Sequence, residues 1–469
     1  MAKVEKASHG RISVFLFVIC FCALYAFGVY SFLDISTRYS TEINEFLDQL
    51  TPLLPLVSAG LPILILTFFV FFLIVLIMCW VILQIIKRTA VTVVIVMSYL
   101  FPILFIGIGV VLISSVTLAI FGAILVIIGV LMLLIALWNQ RKLRRSGKFL
   151  EFSASLVLDE KALLMAPIIL AIFTMFAGVL MGFSYLEIYD TWGVVTESMD
   201  PQMQDLGTIV GLVVEYVYLI VYFCFYYIIA GFICSYAFDW YRKEDPSLNT
   251  AWKDVKQVLA PIFWFAIIRA TLEMITRLIG RGARRSQVGE RRGKEQVGIL
   301  IVFLIVAFIS SILIGLYRFF TYFTLPAIVI KKKGLRDSIR DSAKMVWNSW
   351  LDVLVGETGF GLAMFFFNIV NFLLWGSVGF ILGFTLFDNV IGAIVLAVVL
   401  LIISIIPMNI VSFPMGTAFK TFLYAYALDR STGFKQPSRL PAELRGEFND
   451  VITDLERRDV KRKVPKPTF

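Results

Sequence analysis

Charged residues inside apolar stretches are the best candidates for chemistry in this sequence. Arg269, Glu273 and Arg277 occur at i, i+4 and i+8, a spacing that places all three on one helix face. Glu215 lies in the preceding apolar stretch, where an antiparallel neighbour would bring it within reach of Arg269. Because charges are costly in lipid, these residues predict a site for an ion or polar solute, a structural ion pair, or side chains that extend to the outer interface. The structural interpretations are favoured, since intramembrane pairs commonly serve packing.

Two further groups have the same ambiguity. Arg318 and Glu357 form a second candidate pair, although Arg318 could instead extend to the inner interface. The tyrosine-rich stretch 216–227 could surround a quaternary amine, but dense aromatic packing is favoured. Pro407 and Pro414 interrupt the last apolar stretch, which predicts a kink and an interhelical hydrogen bond, or else a polar path.

A basic segment, residues 280–297, separates two apolar stretches. Its glycines predict a flexible loop, and its charges could dock an anionic lipid or an acidic partner, or simply be solvated. The candidate residues of this segment are Arg281, Arg284, Arg285, Arg291, Arg292 and Lys294.

No pattern in the chain indicates catalysis. The only histidine is His9, which argues against histidine-based metal sites and nucleophilic triads. None of the patterns G-x-x-x-x-G-K, H-E-x-x-H and G-x-S-x-G occurs, and the five cysteines all lie in apolar stretches without C-x-x-C spacing. We therefore expect no enzymatic activity, no cofactor, no metal and no disulfide framework.

The elements that must position these residues are long apolar helices. Hydrophobic residues make up 59% of the chain and charged residues 16%, which is typical of a multi-pass membrane protein. Backbone amides in lipid must be paired within the chain, so the fold class is an all-α transmembrane helix bundle. About ten spans are predicted, near 12–33, 54–86, 90–113, 116–138, 164–186, 208–240, 256–279, 298–328, 352–385 and 390–428. Ser114 and Ser115 form the expected turn between the third and fourth.

The distribution of Lys and Arg predicts the topology. Basic residues concentrate in alternate loops, at 87–88, 141–148, 242–243 and 331–344, which places these loops and both termini in the cytoplasm of a cell-membrane protein. Segment 280–297 is the exception, because the ten-span arrangement puts it outside. The net charge of +9 is then explained by contact with anionic membrane lipids, and no nucleic acid partner is expected.

Three regions follow from this organisation. Residues 1–145 are expected to form a four-span module, residues 146–428 a six-span core, and residues 429–469 a cytoplasmic tail with a short amphipathic helix from Pro441. Within the core, 149–161 and 335–350 predict amphipathic elbow helices on the inner membrane surface.

The two elbows share a Ser-Ala-x-x-Val pattern, at Ser153 and at Ser342, which suggests an internal repeat or a chance match. The segments KFLEFSASLVLDEKALLMAPI and FFTYFTLPAIVIKKKGLRDSIRDSAKMVWNSW resemble those of an uncharacterised family of prokaryotic, often archaeal, polytopic membrane proteins, over about residues 146–430. That resemblance implies architecture and no substrate. The succession of a span, a Gly turn and a Ser-Ala helix is similar, less closely, to choline-transporter-like proteins.

Two functional hypotheses remain open from the sequence. The first is a non-enzymatic scaffold or subunit of a membrane assembly, with lipids and other membrane-protein subunits as partners. The alternative is a transporter or channel for a small polar or ionic solute. A transporter needs polar groups that line a path through the bundle, whereas a scaffold would pair its polar groups within an apolar interior.

Overall fold

The computed structural model describes residues 8–42, 45, 61–115, 118–191, 201–288, 309–432 and 438–439. Within these ranges the regular structure is helical, as the sequence predicts. The helices are α1 Ser8–Arg38, α2 Leu61–Ile113, α3 Ala119–Trp138, α4 Gln140–Asp159, α5 Met165–Thr191, α6 Pro201–Tyr241, α7 Leu248–Gln257, α8 Leu259–Val288, α9 309–320, α10 Thr324–Lys331, α11 Leu335–Asn348, α12 Trp350–Phe387 and α13 Val390–Thr432.

The described residues contain nine segments long and apolar enough to cross a membrane, which confirms a multi-pass helix bundle. They are Phe15–Arg38, Leu76–Ile113, Ala119–Trp138, Lys161–Ile188, Gly207–Tyr241, Leu259–Arg281, Ile309–Lys331, Trp350–Leu386 and Val390–Arg430. The prediction of about ten spans differs at one place, where the expected second and third spans are joined.

Helix α2 is continuous across the loop that was predicted at residues 87–89. The stretch 84–93 contains no Gly or Pro, and the Thr89 hydroxyl donates to the Ile85 carbonyl within the same helix, so nothing interrupts it. Lys87 and Arg88 are charged, and a charged side chain does not by itself break a helix. At about 1.5 Å per residue α2 is roughly 80 Å long, more than twice the thickness of the hydrocarbon core. The predicted turn after α2 is confirmed, because the Ser114 and Ser115 amides donate to the Val111 and Leu112 carbonyls and the Ser115 carbonyl accepts from the Leu118 amide.

The contacts between α6 and its neighbours define the two ends of the bundle. Helices α6 and α13 run parallel, because Tyr226 packs on Phe413 and Tyr241 bonds to Asp429. We call the end where both helices finish the basal end, and the opposite end the distal end. Helix α5 is antiparallel to α6, since Phe173 near its start stacks on Phe225.

Helix α1 runs parallel to α5. Phe21 stacks on Phe173, and eleven residues later Phe32 contacts Phe183. The beginning of α1 and the end of α13 therefore lie at the same, basal end of the bundle. Assignment of that end to the cytoplasm is still a prediction from charge.

The core of the bundle lies near its basal end. Helix α4 buries Phe149, Leu150 and Leu156 against α2, α12 and α13, with Phe149 edge-on to Phe419. The first predicted elbow is thus an amphipathic helix, but it begins earlier, at Gln140, and its apolar face packs on protein. The second predicted elbow is an amphipathic helix, α11, which leaves Trp347 exposed; its place on the inner membrane surface is still a prediction. A third amphipathic helix, α7, was not predicted.

The span Ile309–Lys331 is broken where the sequence predicts a continuous helix. Residues 321–323 form a turn between α9 and α10. Ser342, on α11, bridges the break: its hydroxyl accepts from the Phe323 amide at 3.0 Å and donates to the Phe320 carbonyl at 2.7 Å. Pro326 is the signal that could have predicted the break, because a proline is tolerated in the first turn of a helix and not in its interior.

The last span is continuous, although its prolines predict an interruption. Pro407 and Pro414 both lie inside α13. Neighbouring side chains satisfy carbonyls around Pro407: Asn371 donates to the Ser404 carbonyl at 3.0 Å, and the Cys79 thiol lies 3.6 Å from the Pro407 carbonyl oxygen. The interhelical hydrogen bond that the sequence analysis predicts beside the prolines is therefore present.

Candidate functional site

Four charged residues of α8 form a row that we call the arginine ladder: Arg269, Glu273, Arg277 and Arg281. They recur every four residues on one face of the helix, as predicted for the first three. The row extends over about 18 Å at the helical rise. Arg281 extends the row because α8 continues to Val288, through the beginning of the segment predicted to be a flexible loop.

Glu215, on α6, faces the distal half of the ladder. Its side chain is 1% exposed and contacts Arg277 at 2.8 Å and Arg281 at 2.7 Å. The predicted contact with Arg269 is not formed. Arg269 lies two to three turns nearer the basal end than these partners, so the axial offset between α6 and α8 excludes it.

Glu273 lies in the centre of three arginines. Arg269 and Arg277 of its own helix and Arg318 of α9 each approach its carboxylate at 3.8 Å. These distances allow electrostatic attraction and exceed the length of a hydrogen bond. Among the described residues, Arg318 therefore makes no side-chain hydrogen bond, and its side chain is 53% exposed. The predicted pairing of Arg318 with Glu357 is wrong.

Glu357 belongs to a second polar cluster, which comprises Glu357, Lys420 and Tyr322. The Lys420 ammonium lies 3.7 Å from the Glu357 carboxylate and 5.0 Å from the centroid of the Tyr322 ring. Tyr322 lies in the turn that breaks the span between α9 and α10. Next to Lys420 along α13, Thr421 contacts Cys234 of α6. From Glu215 to Cys234 along α6 is about 28 Å at the helical rise.

Aromatic rings occupy the interval between the ladder and the second polar cluster. Tyr226 packs edge-on against Phe413, and Tyr227 lies 4.7 Å from Phe265, centroid to centroid. The predicted dense aromatic packing is therefore present, and it separates two charged regions of the same bundle.

Only the first part of the basic segment 280–297, which was predicted to dock an anionic partner, lies within the described residues. Arg281 is helical and bonds to Glu215, so it belongs to the ladder. Arg284 and Arg285 lie in the last turns of α8, and their side chains lie outside the described residues. Arg291, Arg292 and Lys294 lie outside the described residues altogether, as does the predicted tail helix from Pro441.

A buried ion pair at the basal end was not predicted. Arg242 and Asp429 lie 2.7 Å apart with side-chain exposures of 5% and 1%, and the Tyr241 hydroxyl donates to the same carboxylate at 2.9 Å. We call these three residues the basal lock. In the sequence, Arg242 and Asp429 look like ordinary charges at the ends of spans, so no local signal could have identified them.

Beside the basal lock, the chain after α13 returns to α6. The Arg439 amide donates to the Tyr241 carbonyl at 2.8 Å, and the Arg439 guanidinium lies 4.7 Å from the centroid of the Trp240 ring. The Arg439 amide thus satisfies the backbone carbonyl of the last residue of α6, and the Arg439 side chain covers the Trp240 ring.

These groups can bind and guide charged or polar solutes by electrostatics and hydrogen bonding. Arginine and carboxylate side chains supply directional donors and acceptors, while tyrosine supplies ring faces and hydroxyls. Among the residues that the structure describes, no three His, Cys, Asp or Glu side chains come together to hold a metal ion.

The fold and the charged groups inside its spans define a multi-pass helical membrane protein. Residues 123–431 match the model of a family described as plasma-membrane choline transporter. The matched region covers most of the chain, from α3 to the end of α13, and the chain belongs to this family. A comparison with curated proteins found no match.

Proposed function

We propose that the protein is a membrane transporter for a small polar or ionic solute. The observation that carries the proposal is the succession of polar groups along α6, from Glu215 and the ladder to the second polar cluster. Glu215 and Cys234, which lies beside that cluster, are separated by about 28 Å at the helical rise, close to the roughly 30 Å thickness of the hydrocarbon core of a bilayer. Charged side chains at several depths in the membrane cost free energy unless they line a solute path or pair with one another.

The exposure of these groups supports a path more than it supports internal packing. Arg318 makes no hydrogen bond among the described residues, and Glu357 and Lys420 approach each other only loosely, with side chains 48% and 41% exposed. A scaffold would gain stability by pairing such groups tightly. The family match supports transport as well, since its description names choline transport.

The aromatic interval gives the proposed path its barrier. Tyr226 and Phe413 are in ring contact between the two charged regions, so a solute could pass only after these rings separate. The span break at 321–323 lies beside the second polar cluster, and discontinuous helices commonly bound solute sites in transporters. Movement of α10 and α11 relative to α9 is the motion that the break would allow.

The scaffold hypothesis comes second. It rests on the absence of catalytic patterns in the sequence, the amphipathic elbows and the scarcity of charges deep in the spans, and no contact among the described residues favours it specifically. The resemblance to an uncharacterised prokaryotic family also stays a prediction. A non-enzymatic role, both termini in the cytoplasm and contact with membrane lipids remain part of the proposal.

The test is solute uptake by proteoliposomes that contain the purified protein. The panel comprises choline, glycine betaine, phosphocholine and inorganic phosphate, each radiolabelled and compared with protein-free liposomes. We expect uptake of at least one solute, reduced about tenfold or more in Glu273→Gln, because the substitution removes the charge that holds three arginines in place. Glu151→Gln is the matched control, since Glu151 on α4 pairs only with Lys148 at 3.3 Å.

Two outcomes would count against transport. Uptake no higher than in protein-free liposomes for every solute, with protein shown to be folded and inserted, would overturn the proposal. Equal uptake by the Glu273→Gln and Glu151→Gln variants would show that the ladder is not part of the path.

A further inference from the structure

Helix α11 packs its apolar side on the protein. The buried residues of this side are Ser338, Ser342 and Val346. Ser342 bonds to the Phe320 carbonyl and the Phe323 amide, which holds this side of α11 against the span break. An amphipathic helix at a membrane surface ordinarily buries its apolar side in lipid. Since protein already covers the apolar side of α11, the surface that α11 offers to a partner is the opposite one.

The opposite side of α11 carries a row of exposed residues that we call the basic stripe: Arg336, Arg340, Lys344 and Trp347. At the helical repeat these four side chains lie within about 80° of one another, along roughly 16 Å of helix. None of the three cations forms an ion pair with a described residue, whereas Lys331 and Lys333, just before α11, both pair with Asp341. Three cations and the neighbouring Asp337 carboxylate leave an excess of two positive charges.

The position of α11 in the chain places the basic stripe at a membrane surface. Helix α11 begins four residues after the span Ile309–Lys331 ends, and it ends two residues before the span Trp350–Leu386 begins. Both ends of α11 therefore lie beside the same surface of the bilayer. Lys332, which precedes α11, contacts Asp254 of α7 at 2.7 Å, and α7 follows the basal end of α6. The surface in question is thus the basal one.

We propose that the basic stripe docks the headgroups of anionic phospholipids in the leaflet beside the basal end. Arginine and lysine bind phosphate through charge-assisted hydrogen bonds, and each such residue near an anionic membrane surface strengthens the attachment. Trp347 is 71% exposed and Trp350, at the start of the next span, is 53% exposed. Tryptophan prefers the membrane interface, so these indoles match a ligand that is anionic at its headgroup and apolar below it.

Docking of lipid would act on the span break as well as on α11. The basic stripe and Ser342 lie on opposite sides of the same helix, so lipid that holds the stripe also holds Ser342 against residues 321–323. Anionic lipid should therefore raise the thermal stability of the folded protein. This inference concerns a different surface from the proposed solute path and does not depend on transport.

The test is thermal unfolding of the purified full-length protein in mild detergent, titrated with phosphatidylglycerol or with phosphatidylcholine of the same acyl chains. We expect phosphatidylglycerol to stabilise the protein at concentrations about tenfold lower than phosphatidylcholine. The triple variant Arg336→Gln, Arg340→Gln, Lys344→Gln should remove this preference. High salt concentration should weaken it, since exposed charges are screened. Glycerol 3-phosphate, which has the phosphate without acyl chains, should have no effect at these concentrations.

Two further variants control for net charge and for folding. The triple variant Arg141→Gln, Arg144→Gln, Lys161→Gln removes the same charge from exposed positions on and just after α4, and it should keep the preference for phosphatidylglycerol. Asp337→Asn removes the carboxylate beside the basic stripe and should lower the concentration of phosphatidylglycerol that is needed. This second variant tests the proposal even if the triple variant of the stripe does not fold.

Four outcomes would overturn the proposal. They are equal stabilisation of the wild type by the two lipids, an unchanged preference in the folded stripe variant, an equal loss in the α4 variant, and no response to Asp337→Asn. Stripe-dependent stabilisation by polyglutamate, with none by phosphatidylglycerol, would assign the surface to an acidic protein instead. Solute uptake enters none of these measurements, so failure of the transport proposal would leave this inference standing.

Discussion

Two carboxylates in this protein are equally buried and have opposite surroundings. Asp429 and Glu215 both have side chains that are 1% exposed, and each contacts arginine within 3 Å. Arg242, the partner of Asp429, is itself 5% exposed, whereas Arg277 and Arg281, the partners of Glu215, are 40% and 49% exposed. In the basal lock both partners are buried, whereas in the arginine ladder the carboxylate is buried and its arginine partners are partly exposed.

The difference teaches which polar group stabilises the fold and which is available to a ligand. In the basal lock, removal of one charge leaves the other buried without compensation. In the ladder, removal of the carboxylate leaves arginines that other polar groups or water can reach. Burial of an acidic residue alone therefore does not distinguish a structural pair from a site, and the exposure of its partner does.

Asp429→Asn should have the largest effect on stability. It removes the charge that compensates Arg242 in a buried site, which costs about 3–5 kcal/mol. The measurement is thermal unfolding of the purified protein in detergent. A double variant, Arg242→Met with Asp429→Leu, should recover much of the loss, because neither charge then stays buried alone. Equal unfolding temperatures of wild type and Asp429→Asn would contradict the distinction between the lock and the ladder.

Ser342→Ala should have an intermediate effect at the same basal side. The substitution leaves the Phe323 amide without its acceptor in a buried turn, which costs about 1–3 kcal/mol. Ser153→Ala is the matched control from the other Ser-Ala-x-x-Val pattern, because the Ser153 hydroxyl bonds only to the Phe149 carbonyl of its own helix. Thermal unfolding of both variants compares them directly. Equal losses would show that the break does not depend on Ser342.

Glu215→Gln should change stability by less than about 1 kcal/mol, because the exposed partners can be solvated and the amide retains one acceptor. The same variant should nevertheless alter solute uptake by proteoliposomes, since two arginines lose their anchor. A loss of stability as large as that of Asp429→Asn would show that the ladder is also a structural lock.

The smallest expected effect concerns Asp341, outside the spans on α11. A hydrogen bond from Lys333 at 2.6 Å, with the charge of Lys331, holds the pKa of the Asp341 carboxyl below its ordinary value of 3.8. Because the folded-state pKa is the lower one, the ionised carboxylate stabilises the protein above pH 3.8, and this contribution is lost as the pH falls through the folded-state pKa.

The check for Asp341 is a comparison of wild type with Asp341→Asn in thermal unfolding at several pH values. The wild type should be the more stable at neutral pH, and the difference should shrink as the pH falls below 3.8. A difference that stays constant with pH would show that the ion pair with Lys333 does not contribute.

Features that depend on local sequence were predicted well. The apolar stretches, the turn at Ser114 and Ser115, the amphipathic helix α11 and the row of charges on α8 all follow from composition and periodicity. Local signals were misread where they are weak. Lys87 and Arg88 were taken for a loop, and Pro326 was not recognised as a residue in the first turn of a new helix.

Partners that meet across helices were not predictable. Glu215 was assigned to Arg269 and bonds to Arg277 and Arg281, about one to two turns beyond Glu273 on α8. Arg318 and Glu357 were assigned to each other and contact Glu273 and Lys420 instead. The error for Glu215 is one of axial offset between two neighbouring helices, whereas the error for Arg318 and Glu357 concerns which helices are neighbours.

The sequence by itself determined that this chain is a bundle of membrane-spanning helices and that α8 carries charge on one face, because hydrophobicity and the helical repeat act within each segment. Only the tertiary structure decided which charged side chains meet. It buries Asp429 and Arg242 together and leaves about half of the Arg318 side chain exposed. Those outcomes depend on how far one helix slides along another, which is set by side-chain packing summed over the whole interface and is not encoded at any single position.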